Sequence, residues 1–220
     1  MKTRGVVFES EMPMVEPGAA TLYDMSRYRS HGAITGAVWV RLPSGLWVLD
    51  YDSGIPSYVT IPAAACPQLN FTAGDFSIVA RIYIDSLAIT RRIFIRGLRN
   101  TDGYEFYVHS AGHLTIITNQ AAAFQYSETA AGVITAGTWH TVGLSRTGAS
   151  IRPFHNGVDV SGTAGVHIDP TTSARSAKIG IGDNLAEYPM DGRIPLVRFF
   201  NYALSPGQHL QMHEALKRWV

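Results

Sequence analysis

Cysteine is nearly absent from this sequence, and charge is scarce. Cys66 is the only cysteine among 220 residues, so no intrachain disulfide can form. Asp, Glu, Lys and Arg together make up 16% of the chain, and the formal net charge is +1. That balance excludes a general polyanion binder, because no excess of cations would drive the counterion release behind nucleic-acid affinity. Long apolar runs are missing too: no stretch approaches the ~18 uninterrupted apolar residues of a membrane span. The opening run, Met1-Lys2-Thr3-Arg4-Gly5-Val6-Val7-Phe8-Glu9, turns acidic after three apolar positions and lacks the core of a secretory signal. A soluble protein without a signal peptide is expected. Work outside a cell would need another route of release, such as lysis of a virus-infected host.

What is present suits many short strands. The hydrophobic fraction is 46%, and 21 glycines with 11 prolines punctuate the chain at short intervals. An all-β sandwich of this length folds as one domain. Residues 139–160 organise the reading. Trp139-His140-Thr141-Val142-Gly143-Leu144-Ser145 places Val142 and Leu144 on one face and Trp139, Thr141 and Ser145 on the other, the period of a half-buried strand. A second apolar run reaches Asn156-Gly157, two residues that accept positive φ, so a type I′ hairpin is expected.

Phe76 to Ile84 alternates in the same way, with Phe76, Ile78, Ala80, Ile82 and Ile84 inward and Ser77, Arg81, Tyr83 and Asp85 outward. Arg92 to Arg96, Gly103 to His109 and His113 to Thr118 read as three further strands. In the middle one, Phe106 and Val108 oppose Glu105, Tyr107 and His109. Residues 1–20, with Pro13, Pro17 and three glutamates, form an N-terminal arm holding a short strand from Gly5 to Phe8; the domain proper is 21–220. Ser205-Pro206-Gly207-Gln208 is a capping box with proline at the first helical position. It opens a terminal helix over 205–219, docked by Met212, Ala215, Leu216 and Trp219.

Several short motifs follow one another in a consistent order. They are Asp24-x-Ser26, His31-Gly32, Gly36-Ala37-x-Trp39, Asp52 with Tyr58-Val59, Gly137-Thr138-Trp139-His140 before the Asn-Gly hairpin, Ile179-Gly180, and Met190-Asp191-Gly192. Together they resemble the laminin G-like branch of the concanavalin A-like lectin/glucanase superfamily. The sequence departs from the pattern at Ser30, where an Asn is usual, and at Ser57, where an Asp is usual. The resemblance implies an all-β fold, a concanavalin A-like jelly-roll β-sandwich of two antiparallel sheets, here with a short C-terminal helix. Calcium is the ion it implies, held by turn carbonyls and aspartates. Asp52 and Asp191 stand at matching positions, but Ser57 and Pro195 replace expected acids, so no metal site or other cofactor is assigned.

Lectins, hydrolases, lyases and adhesion modules share this fold, so function must rest on a site. A glycosidase needs two carboxyls flanking one bond, and the Glu-x-Asp-x-x-Glu run of the related glucanases has no match here. Glu9, Glu11, Glu105, Asp183 and Glu187 read as solvated acids. His109/His113 and His209/His213 have a zinc-like spacing but no third ligand, and read as surface histidines. Arg91, Arg92, Arg96 and Arg99 form a local basic cluster that suits an acidic polymer or a charged sheet edge equally. The remaining candidate is a groove face made by Arg81, Tyr83, Glu105, Tyr107 and His109. Flat aromatics beside hydrogen-bonding groups match the C–H faces and hydroxyl edges of sugars.

These residues point to a non-catalytic carbohydrate-binding or adhesion module whose partner is a glycan or polysaccharide. The alternative is a virion structural protein, a capsid decoration or tail component, that uses the sandwich to assemble with itself or with other surface proteins. A glycoside hydrolase comes third. No nucleic acid and no membrane span are expected, and a virion or cell surface is the expected location.

Overall fold

A computed structural model describes residues 5–18, 20–162 and 165–219. The first four residues of the arm lie outside it, as does Val220 at the end of the domain. Sixteen strands form among the described residues: β1 (Val6–Glu9), β2 (Thr21–Leu22), β3 (Gly32–Thr35), β4 (Val38–Arg41), β5 (Trp47–Tyr51), β6 (Tyr58–Ile61), β7 (Phe76–Ile84), β8 (Arg91–Leu98), β9 (Asp102–Val108), β10 (Leu114–Gln120), β11 (Ala123–Glu128), β12 (Trp139–Thr147), β13 (Ser150–His155), β14 (Val158–Asp159), β15 (Ala177–Ile179) and β16 (Gly192–Phe200). One helix, α1 (Pro206–Leu216), follows. No helix among the described residues is long and apolar enough to cross a membrane.

The strands make two antiparallel sheets packed face to face, the expected jelly-roll sandwich. The first sheet runs β14-β13-β12-β7-β16-β5-β4, with β1 added beside β16. The second runs β11-β10-β9-β8-β15-β6-β3-β2. β16 holds β7 along one side; on the other, β5 pairs with its first half and β1 with its last. The arm is therefore part of the first sheet. Between the sheets, Phe71 stacks on Phe76 at 4.6 Å, and Phe94 meets Phe199 at 4.5 Å. Truncating any one of these rings to alanine would cost about 3–5 kcal/mol.

The central hairpin forms as expected. Asn156 has φ 49° and Gly157 φ 82°, and His155 pairs with Val158 across them, as a type I′ turn requires. Burial differs from expectation on β12 and β7. Val142 and Leu144 enter the core, but Thr141 and Ser145 on the opposite face are buried too. The reason is α1, which lies on the outer face of the first sheet.

The capping box at Ser205 and Gln208 closes as expected. The docking stripe is His209, Met212, His213 and Leu216, one helical face at spacings of three and four. Ala215 and Trp219 are exposed instead, and His209 is buried rather than on an exposed flank. Its ring stacks on Phe154 at 3.8 Å and lies against Gly143, where an added Cβ would come within 2.9 Å of the imidazole. Glycine in mid-strand makes room for that ring.

Candidate functional site

The five residues expected in one groove do not meet. Arg81 and Tyr83 belong to β7 in the first sheet, whereas Glu105 and Tyr107 belong to β9 in the second. Both pairs point away from the core, and therefore out of opposite sides of the sandwich. His109 lies past the end of β9, exposed in the turn to β10, where its Nδ1 accepts the Ala111 N–H at 3.1 Å.

The outer face of the second sheet carries the denser constellation. Cross-strand register lines up Thr60, Lys178, Ile95, Glu105, Ile117 and Tyr126 in one row across six strands. Their neighbours Phe94, Phe106 and Ile116 point the other way, into the core. Glu105 is 1% exposed, not a solvated acid. Arg92 Nη1 donates to its Oε2 at 2.6 Å and Arg99 Nη2 at 3.0 Å. Oε1 accepts from Asn119 Nδ2 at 3.2 Å and from Arg99 Nε at 3.3 Å. Burial pushes the Glu105 pKa up, but the Arg92 and Arg99 charges and hydrogen bonds outweigh it and hold the carboxyl below its usual range.

The two guanidinia are flat plates clamped by that carboxylate. Arg92 lies 4.9 Å from the Tyr107 ring centroid and 5.3 Å from that of Tyr188; Arg99 lies 5.7 Å from Tyr107 and 5.6 Å from Phe124. Tyr107 is thereby nearly covered, whereas Phe124 and Tyr126 on β11 stay exposed at 41% and 43%. Thr115 Oγ1, on the same buried floor, has no hydrogen-bond partner. Lys178 of the row and Arg175 both pair with Asp183, at 2.6 and 2.7 Å, so this acid is not simply solvated either. Phe124, Tyr126 and Tyr188 escaped sequence reasoning. The alternation of β11 was there to be read, with Phe124 and Tyr126 on one side.

The basic cluster comes apart for the same reason. Arg91 pairs with Asp191 at 3.1 Å and Arg92 with Glu105. Arg96 points inward, donating to Asn70 Oδ1 at 2.9 Å, to Ser173 O at 3.1 Å and to Cys66 Sγ. Three of the four arginines are buried and engaged, so they form no basic surface for an acidic polymer. Asp191 is thus committed to Arg91, and its Oδ1 faces the Ser53 N–H at 3.4 Å. Asp52 closes its own turn by accepting the Gly54 N–H at 2.7 Å. Among the described residues no cluster of three His, Cys, Asp or Glu is placed to hold a metal.

A serine–histidine pair lies beside a cleft of ≈ 470 Å³ between β12, β13 and the start of α1. Ser145 Oγ and His209 Nε2 are 2.8 Å apart. Ser145 Oγ also meets Leu204 O and Ser77 Oγ, both at 2.9 Å. Burial brings the His209 pKa down to about 4, and no carboxylate among the described residues hydrogen-bonds the ring. A base that weak, with no orienting acid, suits a clamp holding α1 to the sheet better than a nucleophile.

Comparison with known proteins agrees with the architecture. A family model described as the concanavalin A-like lectin/glucanases superfamily, Laminin G 3, matches residues 53–208. No curated protein matches the sequence. Among solved structures, Trypanosoma rangeli sialidase in complex with sialic acid aligns over 98% of this chain with a TM-score of 0.69 at 17% identity. The chain covers 33% of that sialidase. The binding domain of botulinum neurotoxin serotype G aligns over 96% with a TM-score of 0.71 at 10% identity, and 51% of it is covered. Domain 4 of a GH43 extracellular arabinanase from Geobacillus stearothermophilus, in complex with arabinotriose, aligns over 94% with a TM-score of 0.67 at 14% identity, and 98% of it is covered. At such identities the likeness is one of fold.

Proposed function

The chain belongs to the concanavalin A-like lectin/glucanases superfamily, and on that footing we propose that it is a carbohydrate-binding module without chemistry of its own. One observation carries the reading: the exposed rings of Phe124 and Tyr126 stand beside a rigid floor of Arg92, Arg99 and Tyr107 pinned by buried Glu105. The rings offer apolar faces to sugar C–H groups, and the partly exposed Arg99 guanidinium offers hydrogen bonds to hydroxyls. A domain of similar fold, matched over 98% of its length, was solved with arabinotriose bound, which supports the ligand class.

The floor argues for binding over hydrolysis. A general acid must carry a proton near neutral pH. Glu105 is held ionised, all its hydrogen-bonding capacity is taken up, and the charges around it are arginines rather than a second acid. Affinity per site should fall roughly between 10 µM and 1 mM, about −7 to −4 kcal/mol, as for shallow sites. Display in many copies on a virion or cell surface would raise it by avidity.

The test is an immobilised glycan array probed with the wild-type protein and with Phe124→Ala and Tyr126→Ala. Both variants should lose retention on the same glycans with melting temperatures unchanged, since the rings are exposed. Sugar released from a bound glycan by the wild type would overturn the non-catalytic reading. Retention on no glycan, together with a stable oligomer that buries Phe124 and Tyr126, would move the assignment to an assembly protein.

A further inference from the structure

The outer face of the first sheet holds a second row, in register across β12, β7, β16 and β5: Trp139, Tyr83, Arg193 and Asp50. Trp139 and Tyr83 are half-exposed, with ring centroids 5.2 Å apart, and Arg193 lies 5.4 Å from the Tyr83 ring while pairing with Asp50 at 3.1 Å. One strand position along from this row sits Arg81, 5% exposed, its guanidinium 5.7 Å from the Trp139 ring.

Arg81 differs from the other buried arginines. Arg91, Arg92 and Arg146 each pair with a carboxylate, and Arg96 has its donors bonded to Asn70, Cys66 and Ser173. Arg81 makes one hydrogen bond, from Nη1 to Thr141 Oγ1 at 3.0 Å, and its Nε is buried without a partner. No carboxylate among the described residues pairs with it. Its polar neighbours cannot neutralise it. Thr141 is uncharged, and its hydroxyl is shared with His213 Nδ1 at 3.0 Å from α1. The positive charge of Arg81 itself disfavours protonation of His140 and His213, though burial is the larger cause for both. A desolvated guanidinium with an unfilled fork costs the fold stability. An incoming carboxylate would offset that cost with charge-assisted hydrogen bonds.

We infer that this face is a second saccharide site and that its ligand is an acidic sugar, with the carboxylate taken by Arg81 and a ring face by Trp139 and Tyr83. A sugar fits better than an acidic peptide because a half-exposed aromatic pair lies beside the cation, and a pyranose carries a C–H face next to its own carboxylate. The site is separate from the second-sheet face and does not depend on it.

Calorimetry with oligogalacturonate, oligoglucuronate and sialyllactose tests this, with methyl-esterified oligogalacturonate, a sulfated galactose oligomer and a glutamate peptide as comparisons. At least one carboxylated saccharide should bind the wild type, and the esterified form should bind at least about tenfold more weakly. Arg81→Met should lose the same factor, while its melting temperature holds or rises, because an unmatched buried charge has been removed and the apolar stem kept. Tyr126→Ala should keep this binding, which separates the two sites. The inference is overturned if no carboxylated saccharide binds, if the ester, the sulfated oligomer or the peptide binds as well as the acid, or if Arg81→Met lowers stability with binding intact.

Discussion

Acid should loosen this fold above the range where carboxylates titrate, because several histidines are held neutral by burial: His155 is brought to about 4, His140 is lowered as well, and His167 and His209 are the most deeply buried. His167 and His209 are each 2% exposed. His167 is wedged between Thr118 Oγ1 at 2.9 Å and Ser127 Oγ at 2.8 Å, and burial, then the nearby Arg146 charge, brings its pKa down to about 4. His209, held between Phe154, Gly143 and Ser145, is brought to about 4 by burial, against the opposing charge of Asp159. In the unfolded chain both return to about 6.5. Between those values the unfolded state binds more protons, so the stabilisation is complete above about pH 6.5 and is lost as the pH falls towards 4.

Integrated from about pH 7 down to about pH 5, a shift of this size removes about 2 kcal/mol per histidine, or about 4 kcal/mol for both. That is a large part of the 5–15 kcal/mol typical of a domain. Urea titrations at the two pH values, followed by the fluorescence of the 4 tryptophans, would read it directly. His209→Gln sharpens the test. Whatever its absolute stability, that variant should lose about 2 kcal/mol less than the wild type between the two pH values. Equal unfolding free energies at both pH values, or an unaltered pH dependence in His209→Gln, would refute the reasoning. So would an NMR titration placing His209 near 6.5.

Glu105→Gln should destabilise the fold by about 3 kcal/mol or more in thermal or urea unfolding, because Arg92 would be left buried without its counter-charge. Replacing Arg92 and Glu105 together by leucines should cost less than the single change, and a double-variant cost equal to the sum of the two single costs would show that the pair is not coupled. Gly157→Val should lower the melting temperature by several degrees, since φ there is +82° and the new Cβ would come within 2.6 Å of Leu210 Cα. An unchanged melting temperature would mean that the turn is not type I′.

The parts of this fold that could be read from sequence are those governed by neighbours along the chain. Alternation on β7 and β9, the Asn156-Gly157 turn and the Ser205 cap are local, and each forms where its pattern says. Alternation tells which side chains avoid the core. It does not tell which sheet a strand joins, and the chain crosses from one sheet to the other between β7 and β8. Arg81 and Glu105 were both correctly read as pointing outward, yet they leave by opposite faces. Helix docking is half legible: Met212 and Leu216 pack on the sheet as their spacing says, whereas His209 and His213 complete the stripe in place of Ala215 and Trp219, because histidine by type reads as a solvent residue. Gly143 in mid-strand was the signal of a ring packed against the sheet.

The same limit decides the candidate sites. In the sequence Arg81, Arg91 and Arg92 are alike: strand arginines among apolar residues, each equally able to meet an anion. Cross-strand packing separates them, giving Arg91 the Asp191 carboxylate and Arg92 that of Glu105. Register along β7 sets Arg81 opposite Thr141, a residue with no charge to give. Charge count along a chain therefore says little about what a surface can attract, because a matched guanidinium is a structural plate and an unmatched one is a binding group. On the second sheet the arginines are rigid flooring, and any saccharide there is held mainly by the rings of Phe124 and Tyr126. On the first sheet the guanidinium itself has donors left to give, so only this face should distinguish an acidic sugar from its neutral ester.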